Sequence, residues 1–492
     1  MKFCMGIDIG TTGVKTVLFD LDGVPRGTGL SEYTLETPGP DIVELDPTVY
    51  WESVKKAVAQ AVSQAKCDPG EIVSAGITGQ AETLVYLGKD RNPSRKAVVW
   101  LDNRAGEEAE MLKKAFSPEE LFRMSGQTEM LPCWPAAKIL HLKRHEEKVF
   151  AATEKYLMAE DYILWRLTGE LATCRGMLPS TEYFDIRTGH WYGPMLDFLG
   201  ITEENLPRLT HGGECAGIVK ENDSLLPPGC VVSLCPIDHV CGNLGSGCCE
   251  EGMISETTGC TLALCAPFGH LVYDEAKQVS TYLGSTKGSF VLLPWAPTAG
   301  MLLKYFRDEF APNLDYRTFD EEASKVPAGS EGVIILPHMA GAVSPDCNPE
   351  ARGVVYGLTL AHKKGHIARA CMESVAYLLK DNLEAMKNAG LSVKELRSLG
   401  GASKSRLWLQ IKADVLNIPV TVTECAEATS LGAAILGATA AKIFSSPAEG
   451  AKRMVRKGLT VYPSGDAETY GKCFARYRKI NRLLLPTFGK DK

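Results

Sequence analysis

The feature that most constrains this chain is an apolar strand that ends on an acid and runs into a small-residue turn. Phe3 to Ile9 is apolar with Asp8 near its end, Gly10-Thr11-Thr12-Gly13 is a tight turn, and Val14 to Asp20 is rich in β-branched and aromatic residues. A carboxylate beside such a turn suits a phosphate and its cation. Backbone N–H groups and hydroxyls face the oxygens, and the acid faces the metal. The same residues would also make a plain hairpin with a Gly-Thr turn. A second occurrence favours the first reading. Val231 to Ile237 is another apolar strand, ending at Asp238; Met253 to Glu256 leads into Thr257-Thr258-Gly259, and Thr261 to Cys265 continues as a strand. Two facing hairpins can clamp one triphosphate, and a duplicated nucleotide-binding fold would leave this trace.

The remaining segments alternate. Asp46-Pro47 reads as an N-cap and first helical residue, and Val54, Ala57, Val58, Ala61, Val62 and Ala65 follow at helical spacing. Strands are predicted at Ile72–Thr78, Val333–Leu336, Leu396–Leu399 and Pro419–Thr423. Helices are predicted around Ile367–Leu379 (ended by Gly390), Leu407–Leu416 and Ser430–Ile443. Such alternation means an α/β protein with helices over central sheets. The basic tail after Lys452 is expected on the surface.

The 492 residues suit two large domains. A net charge of −7 leaves no basic excess to neutralise a nucleic-acid backbone, so nucleic acid is excluded as the main partner. No apolar run reaches the ~18 residues of a membrane helix, and Asp8 cuts short any signal-peptide pattern. A membrane partner is not expected. The 16 cysteines lack zinc-ribbon spacing and read as reduced thiols, which implies a cytoplasmic protein.

Two further segments carry chemistry. Ile237-Asp238-His239 closes a strand, and an acid there suits a general base, although an N-cap is the commoner role for an isolated Asp. Gly400-Gly401-Ala402-Ser403 lies between a strand and a helix, where small residues admit a flat group such as an adenine or allow close packing. The chain has no Gly-x4-Gly-Lys-Ser/Thr P-loop. Gly242 to Gly247 does not match the dinucleotide fingerprint.

Together these segments resemble the FGGY carbohydrate kinases, in order and over nearly the whole chain. The matching stretches are Met5–Gly13, Gly76–Gln80, Trp100-Leu101-Asp102-Asn103-Arg104, Glu256–Cys260, Pro349–Gly353 with Gly357-Leu358, and Gly400-Gly401-Ala402. The resemblance implies a two-domain actin-like ATPase (ribonuclease H-like) fold of the α/β class. It implies a duplicated core, with ATP and sugar in the interdomain cleft. Domains are expected at 1–241 and 242–492.

By position, Asp238 matches the family's catalytic base, and Asp8 with Asp238 the acids at Mg²⁺. Thr11, Thr12, Gly13, Thr257, Thr258, Gly259, Gly400, Gly401 and Ala402 match ATP-binding positions. Gln80, Glu82, Asp102 and His239 fall where sugar contacts lie. The implied reaction is phosphorylation of a terminal hydroxyl of a small sugar or polyol, a ketopentose such as xylulose first. Glycerol, a tetritol, fuculose, ribulose and gluconate are the alternatives; an actin- or chaperone-like ATPase switch is the rival outside sugar kinases. A homodimer is compatible with the family.

Several residues depart from the family pattern. Ala81-Glu82 stands where xylulokinases carry Met-His, His239 where they carry Asn, and His141 where a Trp is common. Acceptor-only carboxylates suit a neutral polyhydroxyl substrate. They suit an acidic sugar such as gluconate less well, and the nearby Arg104 would reverse that.

Overall fold

The computed structural model describes residues 2–489. Its first half builds on β1 (Phe3–Ile9), β2 (Gly13–Asp20) and β3 (Pro25–Glu32), an antiparallel meander with β1 at its inner edge. Helix α1 (Pro47–Ala65) is capped as its sequence demands: the Asp46 carboxylate accepts the Thr48 N–H, and Pro47 occupies the first turn. Its buried stripe, Trp51, Val54, Ala57, Val58, Ala61 and Val62, is set by the 3.6-residue period. Strand β4 (Ile72–Gly79) runs parallel to β1.

Helices α2 (Gly106–Ala115), α3 (Pro135–His145) and α4 (Ala159–Thr168) follow. The first two belong to a lobe with its own apolar cluster, which includes Leu84, Leu112, Leu140 and Phe184. Strand β5 (Val231–Leu234) then returns to the first sheet, parallel to β4. Helix α5 (Asp238–Gly245) starts immediately after it.

The second half repeats the plan. It contains β6 (Met253–Thr258), β7 (Leu262–Phe268), β8 (Ser280–Leu283), β9 (Phe290–Leu293), helix α6 (Gly300–Phe310) and the long α7 (Lys364–Asn388). Then come β10 (Glu395–Leu399), α8 (Arg406–Leu416), β11 (Val420–Thr423), α9 (Ala428–Ala440), β12 (Lys457–Val461) and α10 (Ala467–Leu484). The first sheet contains the order β5-β4-β1-β2-β3 and the second β11-β10-β6-β7-β9. In each, the first strand pairs antiparallel with the second and parallel with the fourth. Strand order and direction thus repeat, as a duplicated core requires.

The halves meet where α9, from the second, lies on β1 and β4 of the first and against α5. The contact is backbone on backbone. A Cβ on Gly432 would sit 1.9 Å from the Cys241 carbonyl oxygen, and one on Gly245 would sit 1.9 Å from that of Ala428. Around it Cys4, Val17, Phe19, Leu244, Leu431 and Ile435 form a separate buried cluster.

Three sequence expectations change. Residues 242–245, read as the start of a Gly-rich stretch, continue helix α5, where Gly245 serves the seam; the expected boundary at 241/242 falls inside that helix. Thr257 and Thr258 are not in the second turn. They are the last residues of β6, paired with Ala263 and Leu262, and the turn is Gly259-Cys260-Thr261. By register Thr257 occupies the place of Asp8, so the literal Thr-Thr-Gly repeat is displaced from the structural one. The basic tail is also not merely superficial: α10 buries Tyr470, Phe474 and Tyr477 in the second core. All sixteen cysteines are free, and among the described residues no helix is long and apolar enough to cross a membrane.

Gly432→Ala forces apart two backbones already in contact. It is expected to cost on the order of 1–3 kcal/mol or more, as overpacking does. The midpoint of urea unfolding should fall, whereas Gly401→Ala, where an added Cβ meets nothing within 4 Å, should leave it unchanged.

Candidate active site

Two acids meet at the floor between the halves. Asp8 lies next to the end of β1, opposite Lys15 in β2 and Thr78 in β4. Asp238 is the first residue of α5, and its Oδ1 accepts the N–H of His239 at 2.6 Å. The His239 ring nitrogen stands 3.9 Å from the same oxygen. Burial, and then repulsion from Asp238, push the Asp8 carboxyl up to about 7. Two mutually repelling carboxylates with oxygen ligands to offer fit a hard divalent cation such as Mg²⁺. Lys15 reaches across to Glu427 of the second half at 2.9 Å.

The two turns differ in what they offer. In the first, the Gly10 N–H closes on the Gly13 carbonyl at 3.0 Å. Thr12 is exposed, and the Thr11 hydroxyl accepts the indole N–H of Trp100 at 2.9 Å. In the second, the Thr258 hydroxyl is already engaged. It donates to Glu256 Oε2 at 2.6 Å and accepts from Lys412 Nζ at 3.1 Å. Glu256 also takes Ser398 and Lys412, and the side chains of Glu256 and Lys412 are fully buried. This internal ion pair anchors the end of β6 and takes the Thr258 hydroxyl out of play, which leaves the second turn's backbone and the exposed Thr261 hydroxyl to face a phosphate. Gly400 closes the arrangement with φ +79°; a Cβ there would lie 2.7 Å from the Thr258 carbonyl.

Beside the second turn is a cavity of about 750 Å³. Thr258, Gly259, Gly401 and Ala402 line it, with Met301 from α6 and Tyr316 opposite. Its size and apolar walls fit a nucleoside. Sequence reasoning missed Met301 and Tyr316, since neither lies near a glycine motif.

The other wall carries the expected sugar residues. Gln80 N–H bonds to Ile9, its amide nitrogen donates to the Tyr50 hydroxyl at 3.3 Å, and its Oε1 has no partner. Glu82 holds φ +63° and accepts the Ser180 hydroxyl; burial pushes it up to about 7. Lys138 in α3 is buried and spends its ammonium on the carbonyls of Glu82 and Val99, both at 2.9 Å. Glu160 opens α4, and its Oε1 lies where a side chain on Gly79 would stand. Neither of its oxygens has a hydrogen-bond partner, and burial, with Asp161, Glu82 and Asp238 nearby, raises it well above the usual carboxylate range. The sequence signal for Glu160 was absent, because Ala159-Glu160-Asp161 reads as an ordinary acidic first turn.

Asp102 does not face the cleft as expected. It is fully buried; Oδ2 accepts the Val43 N–H at 2.6 Å, and Arg104 grips both oxygens at 2.7–3.0 Å. Arg104 is then completed by Glu44 at 2.7 Å. Neither residue has a free charge to offer a substrate.

Comparison with known proteins agrees with this geometry. Residues 3–245 match the model of the N-terminal domain of the FGGY family of carbohydrate kinases, and residues 255–441 that of the C-terminal domain. The chain is 28% identical to the xylulose kinase of Bacillus subtilis (strain 168), covering 98% of this chain and 97% of that one. It is 29% identical to a glycerol kinase of Thermococcus onnurineus (strain NA1), covering 98% of each. A gluconate kinase structure from Lactobacillus acidophilus superposes with a TM-score of 0.92 at 26% identity, over the whole of both chains.

Two outcomes follow from the site. Lys412→Met strands a buried carboxylate and should destabilise by about 3–5 kcal/mol. Glu256→Gln with Lys412→Met should lose clearly less than the single variant, by denaturant titration. The buried acids also set a pH dependence. Asp161, pushed by burial up to about 8, and Glu82 bind protons more tightly folded than unfolded. Their contribution is complete below the unfolded carboxylate pKa and is lost as pH rises through about 7–8. Asp161→Asn should therefore flatten the fall in thermal stability of the ligand-free protein between pH 5 and 8.

Proposed function

From the premise that this chain belongs to the FGGY family of carbohydrate kinases, we propose that it transfers the γ-phosphoryl group of ATP to a terminal hydroxyl of a neutral sugar or polyol. A ketopentose such as xylulose is the first choice. The carrying observation is the charge of the sugar-side wall. Glu82, Glu160 and Asp238 gather there, while the nearby cations are committed: Lys138 to two carbonyls and Arg104 to Asp102 and Glu44. Carboxyl groups accept hydrogen bonds and, where burial keeps Glu82 and Glu160 protonated, also donate one, which suits neutral hydroxyls that both donate and accept. An aldonate such as gluconate would bring a carboxylate to this wall with no free cation to meet it, so it ranks below xylulose and glycerol, the substrates that name the first relatives.

Asp238 is the general base in this reading. It stands at the helix start beside the cleft, takes the proton of the attacking hydroxyl, and returns it to solvent after transfer. Asp8 and Asp238 would hold Mg²⁺, which offsets charge on the phosphates when bound. Backbone N–H groups of both turns receive phosphate oxygens, with the Thr11 and Thr12 hydroxyls at the first. Adenosine lies in the cavity along Gly401 and Ala402. His239 and Gln80, beside the base, contact the substrate.

Asp238→Asn should lower kcat by roughly 10²–10⁴-fold, the usual contribution of a general base, with nucleotide affinity retained. The measurement is ADP release with Mg-ATP across xylulose, ribulose, fuculose, glycerol, a tetritol and gluconate. Stimulation by a neutral compound, abolished in the variant, is expected. Gluconate as best substrate would overturn the charge argument, and substrate-independent hydrolysis would overturn the transferase reading.

A further inference from the structure

A second cluster of ligating groups lies outside the cleft, between α2 and α3. His141 and His145 are four residues apart on α3, so their rings project from one face. The rings lie 4.4 Å apart, and both address one carboxylate, that of Glu108 in the first turn of α2. His141 Nδ1 is 3.2 Å from Glu108 Oε2, and His145 Nε2 is 3.0 Å from Oε1. The three donor atoms lie within 4.8 Å of one another.

Each ring nitrogen faces a different oxygen of that carboxylate at hydrogen-bond distance, so the three residues converge on one point between the helices. With Zn–N and Zn–O bonds of about 2.0–2.1 Å, tetrahedral geometry separates donor atoms by about 3.3–3.4 Å. Rotation of the two exposed-side rings, closing a spread of at most 4.8 Å, brings all three donors onto one ion. The donor set, two imidazoles and a carboxylate, suits zinc or a neighbouring first-row ion rather than Mg²⁺ or Ca²⁺. Glu108 is buried and held in place, whereas His145 retains 45% of its side-chain exposure. An ion can therefore enter from solvent and keep a water as its fourth ligand. Arg144 also touches Glu108 Oε1, and it has a second carboxylate, Glu107, at 3.4 Å. It can remain as an outer donor to the ligating carboxylate or turn to Glu107.

The geometry points to a transition-metal site, His141–His145–Glu108, that takes Zn²⁺ or a similar divalent ion and ties α2 to α3. The site is separate from the Mg²⁺ position at Asp8 and Asp238. Its place in the fold gives it leverage on the sugar wall. Helix α3 carries Lys138, one turn before His141, and α2 begins two residues after Arg104. An ion between the helices would hold both supports of that wall in register.

Co²⁺ titration of the chelator-stripped full-length protein tests this, followed by displacement with Zn²⁺. The wild type should take up one equivalent that gives d–d absorption without a thiolate charge-transfer band, which separates this site from the exposed cysteines. His145→Ala and His141→Trp should each abolish that equivalent. His145→Ala should leave Mg-ATP-dependent turnover of the enzyme free of Co²⁺ and Zn²⁺ unchanged, which also shows the variant is folded. Equal uptake by wild type and both variants, thiolate bands on the bound ion, or no stoichiometric uptake by the wild type would each overturn the assignment.

Discussion

The structure depends on one close approach. Helices α5 and α9 cross with backbone against backbone, because Gly245 and Gly432 leave no side chain between them. Helix α9 is also pressed onto the first sheet, where a Cβ on Gly6 or Gly76 would fall 1.8 Å from a carbonyl oxygen of that helix. One helix of the second half is thereby built into the first. The consequence for the proposed site is direct. Asp238 heads α5 and Asp8 lies near the end of β1, so the spacing of these two acids is set by the same seam. Side chains at those glycines would push α9 away from α5 and off β1 and β4, the elements that carry the two acids or lie beside them.

The two halves share a topology but not a chemistry. Where β1 presents Asp8, β6 presents Thr257, and the adjoining Thr258 hydroxyl is tied down by Glu256 and Lys412. In the proposed site the first half thus offers the acid and hydroxyls, and the second a rigid turn with an apolar cavity behind it. A buried ion pair is weak evidence for stability by itself. Here it fixes the strand end from which the second turn departs. The division matches what phosphoryl transfer asks of a protein, which is positioning and charge placement more than covalent chemistry.

Much of this was legible in the sequence because it is local. Asp46-Pro47 announces a helix start, the Asp8 strand and its turn announce a hairpin, and Gly400-Gly401 marks the break after β10. The unread parts are products of packing. Glycines 242 and 245 look like loop residues until α9 is seen against them. Thr257-Thr258-Gly259 looks like a copy of Thr11-Thr12-Gly13 until the ladder shows it three positions earlier. Lys412 sits on the same helical stripe as Trp408 and Leu409, a signal that a buried cation needs a partner, but the partner Glu256 is 156 positions away. Asp102 and Arg104 read as a substrate acid and a spare cation, yet at two residues' separation they satisfy each other.

The central claim is that the cleft transfers phosphate to carbon-bound hydroxyl rather than to water. Phosphorus NMR of a reaction with Mg-ATP and xylulose, or with whichever neutral sugar stimulates turnover, tests it most directly. The account predicts a phosphomonoester resonance, split by two methylene protons, that grows in step with ADP. Growth of inorganic phosphate alone, at the same rate with and without sugar, would contradict it.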